Sequence, residues 1–356
     1  MNLLWVYHLI FCIVFYVFVL KNYGDALNYW NTVKETNAYT FIEYIQLGYG
    51  TYFMYALNYF PSRILELSFL TGSMVYALLG YVGFVYFYYL FKKRISFNTK
   101  LFNIYLFPAL FFLPNLHFWT CNIGKDTLLF LCIALFSYGM QKPLKHLFLI
   151  IFSISLAYLV RPHIVFYLIF SFSVAMLIAG NLKVYQKILF IVIVSLIFIP
   201  LIDKTIAYLN IESIDYQTLS NYSNDKVTKL SRDYTGSRVD MSNYSFPFKI
   251  FTFLYRPLFF DFNGVLSIVA SLENLLLLLL TIKFIFTNPL KIFLKGDYIL
   301  KAFTIFTLVG VVSFSLILGN LGIMLRQKNM FIPALLFIFL WGFSYQAEIK
   351  NNKELV

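Results

Sequence analysis

Charge is scarce in this chain. Only 12% of its 356 residues are Asp, Glu, Lys or Arg, whereas a soluble domain carries about a quarter. That deficit excludes an ordinary water-soluble fold. Acid is scarcer still, with 16 carboxylates against 28 Lys and Arg and a formal net charge of +12. Cysteine is limited to Cys12, Cys121 and Cys132, in or beside apolar runs and without ligand spacing. They read as packing residues, and neither a metal site nor a redox role is expected of them. The catalytic motifs of hydrolases, kinases and zinc enzymes are missing, as is any internal repeat of the kind that marks a transporter's inverted halves. There is no basic domain or stripe either. Lys and Arg are scattered through short loops, so the net charge does not imply a nucleic-acid partner.

Apolar residues make up 60% of the chain, and its mean hydropathy is +0.75. The runs Leu3–Leu20, Phe69–Phe91, Ile188–Ile202 and Phe303–Leu318 are long enough, or nearly so, to cross a hydrocarbon layer of about 30 Å. The expected fold class is therefore all-α, a polytopic integral membrane protein forming a single membrane domain over 1–356. The first run lacks the basic start and small-residue cleavage site of a signal peptide and reads as an uncleaved first helix. The 42 Phe and 28 Tyr are mostly lipid-facing or interfacial bulk.

Basic loops orient the chain. Lys92-Lys93-Arg94 through Lys100, Gln141–His146, Asn181–Lys187 and Lys283 through Lys301 carry the densest positive charge, which places them on the cytoplasmic side. Inner segments then hold about 14 Lys and Arg against about 3 carboxylates, while outer segments are close to balanced. About ten crossings follow, near 2–20, 68–91, 101–119, 127–140, 147–160, 164–181, 188–202, 264–282, 302–319 and 330–345, with both termini inside. Two longer segments lie outside. In 21–67 the amphipathic, Tyr-rich stretch Tyr44–Tyr59 suits an interfacial helix. In 203–263, a large extracytoplasmic loop, apolar Phe246–Phe262 starts at Pro247 and breaks at Arg256-Pro257, the pattern of a segment dipping back toward the membrane.

This topology gathers on the outer face several basic groups that depart from the charge bias. Lys125 opens a span, although a cation is disfavoured at a helix N-terminus; Asp126 or a bound phosphate would serve as its anionic partner. Asp126 also suits a helix cap. Arg161-Pro162-His163 joins two spans in three residues. Its arginine can snorkel to lipid phosphates or bind an anion, and its imidazole can accept a proton near neutral pH. Arg256 lies in an apolar segment, Arg326 follows Gly319-Asn320-Leu321-Gly322, and Arg238 sits in the polar loop. Guanidinium recognises phosphate bidentately and stays charged, so several of these converging would favour an anionic ligand. Asp25, about five residues beyond the first span, fits either a solvated loop acid or a base for a sugar hydroxyl. Glu273, inside a span, is costly there and suits pairing with a basic residue or a functional role.

Gly24-Asp25 followed by Tyr29, Phe118-Trp119 with Gly124-Lys125-Asp126, Arg161-Pro162-His163, Tyr255-Arg256-Pro257, and Gly319-Asn320 with Gly322 and Arg326-Gln327 together resemble a family. It is that of bacterial O-antigen and capsule polymerases of the Wzy and EpsG kind, with a more distant likeness to lipid-dependent glycosyltransferases of the GT-C class. These short motifs span most of the chain. The resemblance implies an inner-membrane glycosyltransferase that polymerises repeat units for capsule or lipopolysaccharide. Its substrate would be an oligosaccharide on undecaprenyl diphosphate, its further partners membrane lipids and a chain-length regulator. No cofactor is implied. Arg161, Arg256, Arg326, Arg238 and Lys125 would bind the diphosphate, and His163 or Asp25 would take the acceptor proton. The first outer loop lacks the Asp-Asp or Asp-x-Asp pair of some GT-C enzymes, which makes a metal less expected. A GT-C transferase adding one sugar from a polyprenyl-phosphate donor, a flippase or exporter of lipid-linked glycan, and a structural partner of a polysaccharide complex are the competing expectations.

Overall fold

A computed structural model describes residues 1–36, 38–101, 103–179, 183–188, 191–192, 195–196, 237–241, 243–262 and 264–354. Most of the expected crossing at 188–202, and residues 203–236 of the expected large outer loop, lie outside them. In chain order the elements are α1 (Asn2–Asn22), α2 (Asp25–Glu35), α3 (Phe41–Gln46), α4 (Thr51–Asn58) and α5 (Phe69–Arg94). A small hairpin of β1 (Lys100–Leu101) and β2 (Ile104–Tyr105) follows, then α6 (Leu106–Ala109), α7 (Pro114–Thr120), α8 (Lys125–Gly139), α9 (Leu147–Val160) and α10 (Pro162–Ala179). The remainder is α11 (Phe246–Tyr255), α12 (Val265–Ile285), α13 (Pro289–Lys295), α14 (Tyr298–Ile317), α15 (Leu321–Lys328) and α16 (Ile332–Glu354).

Among the described residues, α1, α5, α10, α12, α14 and α16 are long and apolar enough to cross a membrane; a seventh crossing results if α7 and α8, bent by 108°, form one broken span. These six match six of the ten expected crossings. The stretch 101–119 is different. It is a hairpin followed by short turns, because Pro108 and Pro114 each force the preceding residue out of the helical region. Phe107 (φ −99°, ψ 124°) and Leu113 (φ −62°, ψ 121°) are both extended. The same rule ends α9 at Arg161 (φ −153°, ψ 98°) and α11 at Arg256 (φ −97°, ψ 151°), each followed by proline.

The chain forms two compact units, Met1–Arg94 with Pro108–Val165 and Ile95–Phe107 with Phe166–Val356. In the first, α5 packs on α1 and α8, and α8 on α9. Thirteen of the fifteen residues of α8 are buried, which is why its sequence is apolar all round rather than striped. Small residues on α5 permit the close approach, as in membrane helix packing generally. A Cβ on Gly80 would lie 1.9 Å from the Thr120 carbonyl oxygen, and one on Gly83 would lie 2.7 Å from the Phe130 ring.

Outside these helices, the stretch expected as one amphipathic helix at Tyr44–Tyr59 is two, α3 and α4, separated at Gly48 (φ +105°) and Gly50 (φ +74°). Val33 of α2, Tyr44 and Ala56 form a small core between them. In the second unit α14 packs on α16 and α11. Phe303, Phe306, Phe331 and Phe337 fill that core, with Phe331 seated against Gly310.

Candidate functional site

Three of the residues singled out by sequence meet in the first unit. Lys125 and Asp126 open α8, and Arg161 closes α9. A carboxylate at a helix start and a guanidinium at a helix end both suit the local dipoles. Arg161 Nη1 lies 3.4 Å from Asp126 Oδ1, and both residues are buried. In so dry a place the pair holds only because each charge offsets the other's loss of water. Asp126, which the sequence also offered as a cap or as the partner of Lys125, thus serves Arg161.

Lys125 is half-buried beside this pair. Its Nζ donates to Thr51 Oγ1 at 3.0 Å and lies 5.7 Å from the centre of the Tyr29 ring. Thr51 is the first residue of α4, which is docked on the end of α9 by two bonds. The Gly50 amide donates to the Leu159 carbonyl at 2.8 Å, and the Tyr49 and Tyr158 hydroxyls are 3.1 Å apart. Asp25 is exposed at the first position of α2, one helical turn before Tyr29. His163, half-buried, is the second residue of α10, two positions beyond Arg161. The ends of α8 and α9, the start of α4 and one face of α2 thereby bring two cations, a carboxylate and several hydroxyls to one corner.

The second unit holds the other arginines. Arg256 is buried and grips Asp261 with both arms of its fork: Nε donates to Oδ2 at 3.0 Å and Nη2 to Oδ1. Nη1 also donates to the Tyr244 hydroxyl at 3.3 Å. These bonds, the Asp261 bond first, raise the guanidinium pKa further above its already high value. Arg238 is exposed, and its backbone forms an antiparallel bridge to Asn320. Ser237 Oγ donates to Asn320 Oδ1, the same oxygen that caps α15 through the Ile323 amide. Residues 237–239 are thus tied to the segment that carries Arg326, which is half-buried in the last turn of α15.

Two features have little signal in the sequence. Lys328, two residues after Arg326, is almost wholly buried. Its Nζ donates to the Leu254 carbonyl at 3.1 Å and to Asn274 Oδ1. Burial pushes its ammonium below the usual lysine range, and the Glu273 carboxylate pushes the other way. Glu273 therefore has a basic residue in its field, on α15. The second feature is a buried histidine pair. His8 Nδ1 is 2.8 Å from His117 Nδ1, and His117 Nε2 is 2.7 Å from the Phe111 carbonyl. Since the carbonyl only accepts, His117 carries a proton on Nε2, and one of the two Nδ1 atoms donates to the other. The two lie 109 positions apart, so no local pattern announces them. Among the described residues no group of three or more His, Cys, Asp or Glu side chains could hold a metal ion, and all three cysteines are buried thiols. Comparison with protein families, with curated proteins and with solved structures finds no match.

Proposed function

We propose that this chain is a membrane glycosyltransferase of surface polysaccharide synthesis, polymerising glycan repeat units carried on undecaprenyl diphosphate. The observation that supports this most is the corner of the first unit where Lys125, Asp126 and Arg161 meet. A diphosphate leaving group needs cations fixed in a water-poor site where negative charge develops. Lys125 and Arg161 supply that charge in the first unit, and Arg256, Arg326 and Arg238 are the anion-binding candidates of the second. His163 or Asp25 takes the proton from the acceptor hydroxyl.

In this proposal the chain sits in a bacterial inner membrane with both termini cytoplasmic and 21–67 and 203–263 outside. The ten-crossing topology then needs the broken stretch at 101–119, the short helices α8 and α9 and the segment at 188–202 each to traverse the bilayer, thinned locally. Deleting the gene is expected to leave single repeat units on the lipid anchor, read as loss of the chain-length ladder on a gel. A ladder that persists unchanged rules the polymerase out. A fixed mass decrement on an otherwise intact glycan points instead to transfer of one sugar, and donor trapped on the cytoplasmic leaflet to an exporter.

A further inference from the structure

The turn that carries Arg256 is held by two buried side chains from elsewhere in the second unit. Pro257 stops α11, so the last carbonyls of that helix have no amide above them. The Leu258 amide, which would have served Leu254, donates to Asp261 Oδ2 at 2.9 Å instead. Lys328 fills the vacancy by donating to the Leu254 carbonyl at 3.1 Å. On the other side of Arg256, Asn274 Nδ2 donates to the Pro257 carbonyl at 2.8 Å. Lys328 and Asn274 also bond each other through Asn274 Oδ1. A single two-residue bracket therefore grips the backbone two residues before Arg256 and one after it.

Placing an ammonium where almost no water reaches is costly. An apolar residue would fill the space at lower cost, but it would leave the Leu254 carbonyl unsatisfied. We propose that Lys328 and Asn274 are positioning residues, which hold the Tyr255–Leu258 turn and with it the Arg256 guanidinium, so that the two N–H groups not used by Asp261 and Tyr244 meet the diphosphate of the lipid-linked donor. This rests on the anion-binding role given to Arg256 above. Neither residue touches the ligand in this scheme. Lys328 also offsets the Glu273 carboxylate, but on the ligand both act through Arg256.

That last property makes the idea testable on the purified full-length protein in detergent, with farnesyl diphosphate as probe and farnesol as control for the tail. Arg256→Lys and Lys328→Met should each weaken farnesyl diphosphate binding by about tenfold and leave farnesol binding unchanged. In the Arg256→Lys background, Lys328→Met should cost nothing more, because the group it positions is already lost. Asn274→Asp keeps the acceptor for Lys328 and removes the donor to Pro257; it should repeat the pattern and stands in if Lys328→Met does not accumulate. If Arg256→Lys weakens binding but both bracket variants bind normally, or if their losses multiply with that of Arg256→Lys, the positioning role is wrong. If the wild type does not distinguish farnesyl diphosphate from farnesol, the anion-binding role of Arg256 falls, and this inference with it.

Discussion

Two buried arginines in this protein share a sequence context and differ in how they are neutralised. Arg161 and Arg256 each end a helix, each adopts extended backbone before a proline, and each meets an aspartate. Asp261 comes from the same turn, five residues on, and the fork closes on it with both arms. Asp126 comes from the start of another helix, 35 residues earlier in the chain (161 − 126). The local pair stiffens a turn. The distant pair fastens the start of α8 to the end of α9, and so holds together the corner that Lys125 and Thr51 share. The acid that meets the arginine therefore braces a single turn in one place and joins two helices in the other.

The sharpest way to break that comparison is to remove the two acids in turn. Asp126→Ala leaves a buried guanidinium without its counter-charge, a change expected to cost about 3–5 kcal/mol. It should lower the thermal unfolding midpoint of the whole protein in detergent. Asp261→Ala removes a partner from within one turn, so its effect should stay near 256–262 and show as faster amide exchange there, with a smaller shift in the midpoint. Equal midpoint losses, with no local exchange signature for Asp261→Ala, would erase the distinction.

How much of this was legible follows from the range of each interaction. Apolar runs announced α1, α5, α10, α12, α14 and α16, because a bilayer demands length and apolarity from one continuous segment. Proline breaks at Arg161-Pro162 and Arg256-Pro257 were equally readable, since the rule acts on neighbours. The run at 101–119 misled because its composition is that of a span, while Pro108 and Pro114 cut it into pieces too short to be one helix. At the site, Lys125, Arg161 and Arg256 stood out as charges beside apolar stretches. Their partners did not. Asp126 looked like a helix cap, and its bond to Arg161 depends on how α8 and α9 pack. Lys328 lies in Arg326-Gln327-Lys328-Asn329, which reads as a polar loop, and only the packing of α15 on α11 reveals that it is buried.

A milder change sharpens the local half of the comparison. Arg256→Lys keeps the charge but loses the planar fork, so one ammonium cannot hold both Asp261 oxygens and the Tyr244 hydroxyl in their present directions. The loss should be roughly 1–3 kcal/mol, smaller than that of Asp126→Ala. A double-mutant cycle of Arg256→Lys with Asp261→Asn should show coupling, because both residues share one hydrogen-bonded unit. Additive losses would mean that the fork and the carboxylate stabilise the turn independently.

The smallest expected effect on stability belongs to Arg238, the arginine that is exposed. Its bridge to Asn320 is made by backbone groups, and the neighbouring ties run from the Leu321 amide to the Ser237 carbonyl and from the Val239 amide to the Gly319 carbonyl. Arg238→Ala preserves every one of these bonds, so the unfolding midpoint should move by no more than about 0.5 kcal/mol allows. Its effect on product is a separate matter. If Arg238 contributes charge to a diphosphate site at the mouth of α15, the alanine variant should shorten the glycan ladder, less so at high salt, where an exposed cation is already screened. A normal ladder with an unchanged midpoint would remove Arg238 from the site and leave the buried arginines to carry the anion-binding role. A large midpoint loss would show instead that its side chain helps to hold residues 237–239 on the start of α15.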